Sequence, residues 1–153
     1  MIPVFRLNHA VLYVRDLDRA VDFYTRTFGF SEIGRAGGHM AFLRAAGSDN
    51  DHDLGLAAVG ADAPSPPRGA VGLYHLAWEV PDITDLVAAR AELQQMGALV
   101  GESDHGATKS LYAKDPDGNE FEVMWMVPRG QTESNPAQRP LPLDLEAEVA
   151  RFS

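Results

Sequence analysis

The sequence predicts an α+β fold of two tandem βαβββ modules. Three observations predict it: a strand-then-helix rhythm that occurs twice, a proline-rich break between the occurrences, and letters that repeat in register. LNHAVLYVRDL starts at Leu7 and LYHLAWEVPDI at Leu73. At one constant offset Leu7 matches Leu73, His9 matches His75, Val14 matches Val80 and Asp16 matches Asp82, while Leu17 and Ile83 are both apolar. In a chain of 153 residues this points to an internal duplication. The expected organisation is one domain over residues 1–127, with module one at about 5–60, a linker at about 60–70 and module two at about 71–127. Residues 128–153 are expected to form a C-terminal tail.

Residues 7–14 are apolar and β-branched and end in charge, which reads as a strand. Residues 16–28 set Leu17, Ala20, Val21, Tyr24 and Phe28 on one broad helical face, and Gly29 can take the left-handed conformation that ends a helix. Extension resumes at 30–34. Residues 39–45 and 52–59 are short apolar strands divided by the turn residues Gly47, Ser48, Asp49, Asn50 and Asp51. Pro64, Pro66 and Pro67 make a poor strand interior and a good linker. In the second module 73–80 reads as a strand and 83–96 as a helix, on which Leu86, Ala89, Leu93 and Met96 recur at helical spacing; Gly97 begins the next turn. Residues 108–113 and 120–127 flank the turn Asp115-Pro116-Asp117-Gly118-Asn119, and are expected to pair as a hairpin. Beyond Pro128 the chain is polar and proline-bearing, and a short helix is expected over 143–152 that docks or frays.

With 45% hydrophobic and 23% charged residues, the chain can supply a globular interior. Its 13 basic and 22 acidic residues give a net charge of −9, which argues against a phosphate-backbone binder, so no nucleic-acid partner is expected. The absence of cysteine excludes disulfides, thiolate ligands and a cysteine nucleophile. Five histidines and many carboxylates leave metal chemistry with nitrogen and oxygen ligands open. No apolar run reaches the roughly 18 residues of a spanning helix. The opening MIPVFRLNHAVLYV runs into a strand without signal-peptide organisation, so a soluble cytoplasmic protein with no membrane partner is the expectation.

His9 and His75 sit near the middle of equivalent predicted strands, so approximate two-fold packing of the modules would bring them to one cleft. Glu122 alternates with Phe121 and Val123, and its side chain therefore leaves the opposite face of the strand. Two imidazoles and a carboxylate make a facial triad that suits Fe(II) first and Mn(II) second, because three positions stay open for water, substrate and oxygen. Tetrahedral zinc would leave fewer. The modules are thus expected to form a curved mixed sheet around a metal cleft. The alternative is two histidines bonding polar groups across a module interface, with Glu122 a solvated strand residue.

Across roughly residues 5–127 the chain resembles the vicinal oxygen chelate superfamily, and within it the small single-chain type I extradiol ring-cleavage dioxygenases. The passages that carry the resemblance are LNHAVLYVRDLDRAVDFYTRTFGF, NDHDLGLAAVG, LYHLAWEVPD and SLYAKDPDGNEFEVMW. It implies that His9, His75 and Glu122 ligate iron, that His52 is an outer acid/base, and that Tyr112 hydrogen-bonds a bound catecholate. His105 resembles a further family histidine near the ring, at a compressed spacing from Tyr112. A histidine can trade protons near neutrality, which makes the His52 role chemically sensible. The implied activity is cleavage of a catechol-like ring by molecular oxygen beside its two hydroxyls. Phe42, Leu54, Trp78, Met124 and Trp125 are candidates for the cavity wall, more of them core than wall. A homodimer is the expected assembly.

Glyoxalase-like members of the superfamily use a further carboxylate from the strand near 52–58. Here that strand reads His52-Asp53-Leu54-Gly55-Leu56-Ala57-Ala58, without glutamate, and Asp53 could serve an isomerase only if the register slips. The competing readings are an isomerase or thiol transferase with a divalent ion, a non-enzymatic ligand-sequestering protein of the bleomycin-resistance kind, and a module that keeps its histidines only for folding.

Overall fold

The computed structural model describes residues 1–67, 69–132 and 139–153. Position 68 of the expected linker and positions 133–138 of the expected tail lie outside the described residues. The chain divides into two compact units, Met1–Arg68 and Gly69–Ser153. Among the described residues no helix is long and apolar enough to cross a membrane.

Unit 1 runs β1 (Ala10–Val14), α1 (Leu17–Phe28), β2 (Ser31–Ala36), β3 (Met40–Arg44) and β4 (Leu54–Ala58). Its four strands form one mixed sheet in the order β1-β4-β3-β2, in which only the β1–β4 pair is parallel. α1 starts where the Asp16 carboxylate accepts the Arg19 amide at 2.9 Å, and stops at Gly29, whose φ of 63° is left-handed. Its buried face of Leu17, Ala20, Val21, Phe23 and Tyr24 meets β3 and β4. Strand alternation sends Leu12 and Val14, Ala41 and Leu43, and Leu54 and Leu56 into the same core. Each fully buried leucine there contributes about 1.5–3 kcal/mol relative to exposure.

Unit 2 repeats the plan and adds to it: β5 (Leu76–Glu79), α2 (Ile83–Gln95), β6 (Leu99–Asp104), β7 (Thr108–Lys114), β8 (Glu120–Met126) and α3 (Leu145–Phe152). Its sheet has the order β5-β8-β7-β6, again with one parallel pair, β5–β8. Asp82 caps α2 by accepting the Thr84 amide at 2.8 Å, and Asp85 reaches back to the Asp82 amide at 3.2 Å, which closes a reciprocal box. Ile83, Leu86 and Leu93 are buried on α2, whereas Met96, expected on the apolar face, is exposed because it is already the C-cap. α3 lies against α2 and sets Phe152 5.0 Å from the ring of Trp125 on β8.

Two departures from the sequence reading bear on the site. β1 and β5 begin at Ala10 and Leu76, so His9 and His75 stand one residue ahead of their strands rather than mid-strand. The β1 ladder starts at Ala10 because the chain opposite it, at Asp53, is still closing the β3–β4 loop; the Ala10 amide donates to the Asp53 carbonyl at 3.0 Å. β6, LVGESD, was absent from the strand reading, and its glycine and polar residues explain why. It is a strand because β7 pairs with it through a bulge between Leu99 and Gly101.

Candidate functional site

In unit 2 the turn between β7 and β8 fixes which side chains meet. The Asp115 carboxylate accepts the amides of Asp117 at 2.9 Å and Asn119 at 2.8 Å, and Gly118 takes a φ of 89°. That closure sets Tyr112 directly opposite Glu122, and β5 sets Ala77 on the other side of Glu122. His75, two residues before Ala77, shares its face by alternation, and its Nε2 lies 3.0 Å from Glu122 Oε2. Two donors held about 2.1 Å from one ion at right angles stand about 3.0 Å apart, so this pair has the separation of neighbouring metal ligands. Glu122 is only 9% exposed, and His75 Nδ1 is buried without a hydrogen-bond partner.

Tyr112 joins the pair to a second histidine. Its ring centre is 5.6 Å from that of His75, and its hydroxyl is 2.8 Å from His105 Nε2. Burial first, and then the negative charge of Glu122, push the Tyr112 phenol above its ordinary pKa, so it stays protonated at neutral pH. The Tyr74 ring lies tilted beside that of His75, 4.8 Å between centres, and its phenol is pushed up by the charge of Glu120. Met124 follows Glu122 on the same face of β8, opposite Ser110.

In unit 1 the other two histidines meet. The rings of His9 and His52 are 4.5 Å apart, and Phe42 is 5.0 Å from His52. His9 Nδ1 is 2.8 Å from Asn8 Oδ1, and His52 Nδ1 is 3.0 Å from Asp51 Oδ2. In the tautomer whose Nδ1–H donates to Asn8 Oδ1, the Nε2 lone pair of His9 is free to ligate. Behind them Asn50, which the sequence reading placed only as turn material, donates to the Asn8 carbonyl and to Asp53 Oδ1, both at 2.8 Å, and accepts from Arg6. Burial opposes ionisation of Asp53, but hydrogen bonds from Ser48, the Ala45 amide and Asn50 outweigh it and hold the carboxyl below its ordinary pKa. Asp53 is therefore committed to the loop and is not offered to a metal.

Within either unit, no group of three or more His, Asp and Glu side chains among the described residues converges as a metal site. The donors come as two pairs, His75 with Glu122 and His9 with His52. Of the expected cavity wall, Phe42 and Met124 stand beside these pairs. Leu54 is fully buried in the unit 1 core, Trp125 packs on Phe152, and Trp78 pairs with Val123 on the opposite face of β5 from His75.

Comparison with known proteins bears on the family and the fold. Residues 6–123 match the Glyoxalase/Bleomycin resistance protein/Dioxygenase superfamily. A catechol-2,3-dioxygenase of Bacillus subtilis is 33% identical over 127 residues, covering 80% of this chain and 42% of that one. A manganese-dependent 2,3-dihydroxybiphenyl 1,2-dioxygenase of Geobacillus genomosp. 3 is 26% identical over 129 residues, covering 81% of this chain and 38% of that one. The chain thus spans less than half the length of these two relatives. Among solved structures, a lactoylglutathione lyase of Agrobacterium tumefaciens is 27% identical with a TM-score of 0.60, covering 80% of this chain and 95% of that one. The duplicated βαβββ plan and the match over residues 6–123 make this chain a member of the Glyoxalase/Bleomycin resistance protein/Dioxygenase superfamily.

Proposed function

We propose that the chain is an extradiol dioxygenase that uses Fe(II), or in second place Mn(II), to cleave a catechol-like ring with molecular oxygen. The observation that carries this reading is the cluster on the unit 2 sheet, in which His75 and Glu122 have ligand spacing and Tyr112 stands opposite Glu122 with His105 on its hydroxyl. Of the ligand set that the sequence resemblance implies, His9, His75 and Glu122, the spacing of His75 and Glu122 supports the proposal. When bound, the ion supplies adjacent positions for the two ring hydroxyls and oxygen and lets electrons pass between them.

The chain's own residues do the rest. A protonated Tyr112 donates its hydroxyl proton to a catecholate oxygen while its own oxygen accepts from His105 Nε2–H, so the histidine aims the phenol. His52, beside His9 and bonded to Asp51, moves protons at the oxygen-derived atoms. Met124, on the same face of β8 as Glu122, offers apolar contact for the ring. Both atoms of oxygen enter a ring-opened semialdehyde product, so no further reductant is needed.

The lyase-like neighbour favours an isomerase, but β4 reads LGLAA and carries no carboxylate, and Asp53 just before it is held by the loop. The test is oxygen uptake after anaerobic loading with Fe(II) or Mn(II), using catechol and 2,3-dihydroxybiphenyl and following the coloured product in the same cuvette. Coupled oxygen loss and product formation are expected. Confirmed metal occupancy without either, on both substrates, would overturn the dioxygenase reading in favour of ligand sequestration.

A further inference from the structure

The C-terminal segment lies beyond the family match, which ends at residue 123, yet it is bonded to the hairpin that carries His105. Asp104, the last residue of β6, exchanges two backbone hydrogen bonds with Leu141, each 2.9 Å. The Asp104 carboxylate also accepts the Gly106 amide at 2.7 Å, which closes the turn around His105. The same carboxylate oxygen is 2.7 Å from the ammonium of Lys109, a fully buried residue at the start of β7. Lys109 in turn lies 3.3 Å from Glu148 of α3. Leu141 and Glu148 therefore grip the β6–β7 hairpin by its backbone and by its buried charge. His105 sits between the gripped residues and holds the hydroxyl of Tyr112.

We propose that the C-terminal segment is a positioning strap for the substrate-facing pair His105–Tyr112, with Leu141, Glu148, Lys109 and Asp104 as positioning residues. Its chemical logic is that a buried ammonium needs carboxylates on more than one side. One is supplied by the hairpin and one by α3, so seating α3 and shaping the His105 turn are one event. α3 is also docked by Trp125–Phe152 and by the Arg90–Glu146 ion pair, and Arg90 reaches the hairpin itself at Glu102 of β6, 3.8 Å away. The proposal rests on the reading of Tyr112 and His105 as substrate-facing, but its geometric half is testable without metal, substrate or turnover.

The experiment is nitrogen-15 NMR of the histidine rings in the metal-free full chain, with His105 assigned through His105→Gln. Leu141→Pro removes the amide that bonds Asp104 at a side chain already 41% exposed, and Glu148→Ala removes the α3 carboxylate. Both are expected to move His105 Nε2 towards the position of an unbonded imidazole. In the metal-loaded protein they are expected to raise KM for catechol roughly tenfold, with a smaller change in kcat. Leu141→Ala, which keeps the amide, is expected to restore the His105 signal. Phe152→Ala loosens α3 while leaving the Glu148 carboxylate present, and is expected to lower stability and to move His105 less than Glu148→Ala does. If Glu148→Ala does not fold, Glu148→Gln is read on the same signal. An unmoved His105 in both strap variants, or an equal movement in Phe152→Ala, overturns the strap. An absence of turnover of both catechol and 2,3-dihydroxybiphenyl in the metal-loaded parent protein overturns the dioxygenase reading alone.

Discussion

The two units are the same βαβββ plan carried to different ends, and the difference is concentrated on two pairs of facing residues. Parallel pairing sets Val11 against Gly55 in unit 1 and Ala77 against Glu122 in unit 2. Ala10 and Leu76 start their strands with the same offset from the preceding histidine, so Gly55 is the structural counterpart of Glu122 and Val11 that of Ala77. A Cβ at Gly55 would stand 3.1 Å from a Val11 methyl, tighter than ordinary contact. Unit 1 thus gives that space to the branched side chain of β1, whereas unit 2 gives it to the carboxylate of β8. The duplication kept the scaffold and the histidine, while the two partner strands reversed which side chain is large. Here a carboxylate site depends as much on the small residue across the ladder as on the acid itself.

The largest expected effect breaks that asymmetry. Glu122→Ala makes β8 as bare as β4 at this position, and Fe(II) or Mn(II) affinity is expected to fall well beyond the roughly 100-fold that loss of an outer supporting group costs. Anaerobic titration calorimetry on the parent and the variant checks it; unchanged affinity would remove Glu122 from the ligand set. Ala77→Val sharpens the comparison by copying Val11 into unit 2. It leaves the carboxylate present but crowded, and a loss of about tenfold is expected in the same titration.

Next in size is a difference in how the units bury charge. Unit 1 keeps Asp53 among neutral donors, whereas unit 2 sets Asp104 against the buried Lys109. Burial resists ionisation of Asp104, but Lys109 and the Gly106 amide outweigh it and lower its pKa. A carboxyl with a lowered folded pKa adds stability above the unfolded value of 3.8, and loses it as pH falls from there through the folded value. Urea midpoints are therefore expected to hold from pH 7 to about 5 and to drop below 4. Asp104→Asn leaves Lys109 with Glu148 as its remaining carboxylate and is expected to cost about 3 kcal/mol at pH 7. Asp53→Asn strands no opposite charge and is expected to cost about 1–2 kcal/mol. Equal costs would mean that the ammonium contributes nothing beyond a hydrogen bond.

What the sequence showed of this molecule was whatever is decided locally. Asp16, Gly29 and Asp82 bound their helices because caps act within one turn. The Asp115–Asn119 turn could be read because its side chains bond their own backbone, and with it came the pairing that faces Tyr112 to Glu122. What could not be read was decided across the chain. β6 owes its extension to β7, and His9 falls outside β1 because of a loop more than forty positions away, where Asn50 reaches Asn8. Lys109, in the strand TKSLYAK, looks like any solvated lysine, since its burial depends on partners at 104 and 148. Its alternation with Leu111 and Ala113 on one face of the strand was the available signal, and alternation alone does not tell a buried lysine from a solvated one. The hairpin that seats His105 was hidden for the same reason, because Leu141 pairs with Asp104 from a proline-flanked stretch with no strand pattern of its own.

The smallest expected effect returns to the caps, where the units are most alike. Asp16 and Asp82 are counterparts in the repeat and both accept an amide in the first helical turn, Asp16 from Arg19 and Asp82 from Thr84. Replacing either by alanine leaves orphan amides at the helix start and is expected to cost about 1 kcal/mol. The two costs should still differ, because Asp82 also accepts the Thr84 hydroxyl at 2.7 Å and its own amide is bonded by Asp85. Asp82→Ala releases both the amide and the hydroxyl of Thr84, whereas Asp16→Ala releases the Arg19 amide alone. Urea unfolding at pH 7 is expected to rank Asp82→Ala as the more destabilising by a few tenths of a kcal/mol. Asp85→Ala should recover most of that gap in a double-mutant cycle. A cycle with no coupling between Asp82 and Asp85 would show that the reciprocal box adds nothing to the cap, and that the two units start their helices with equal strength.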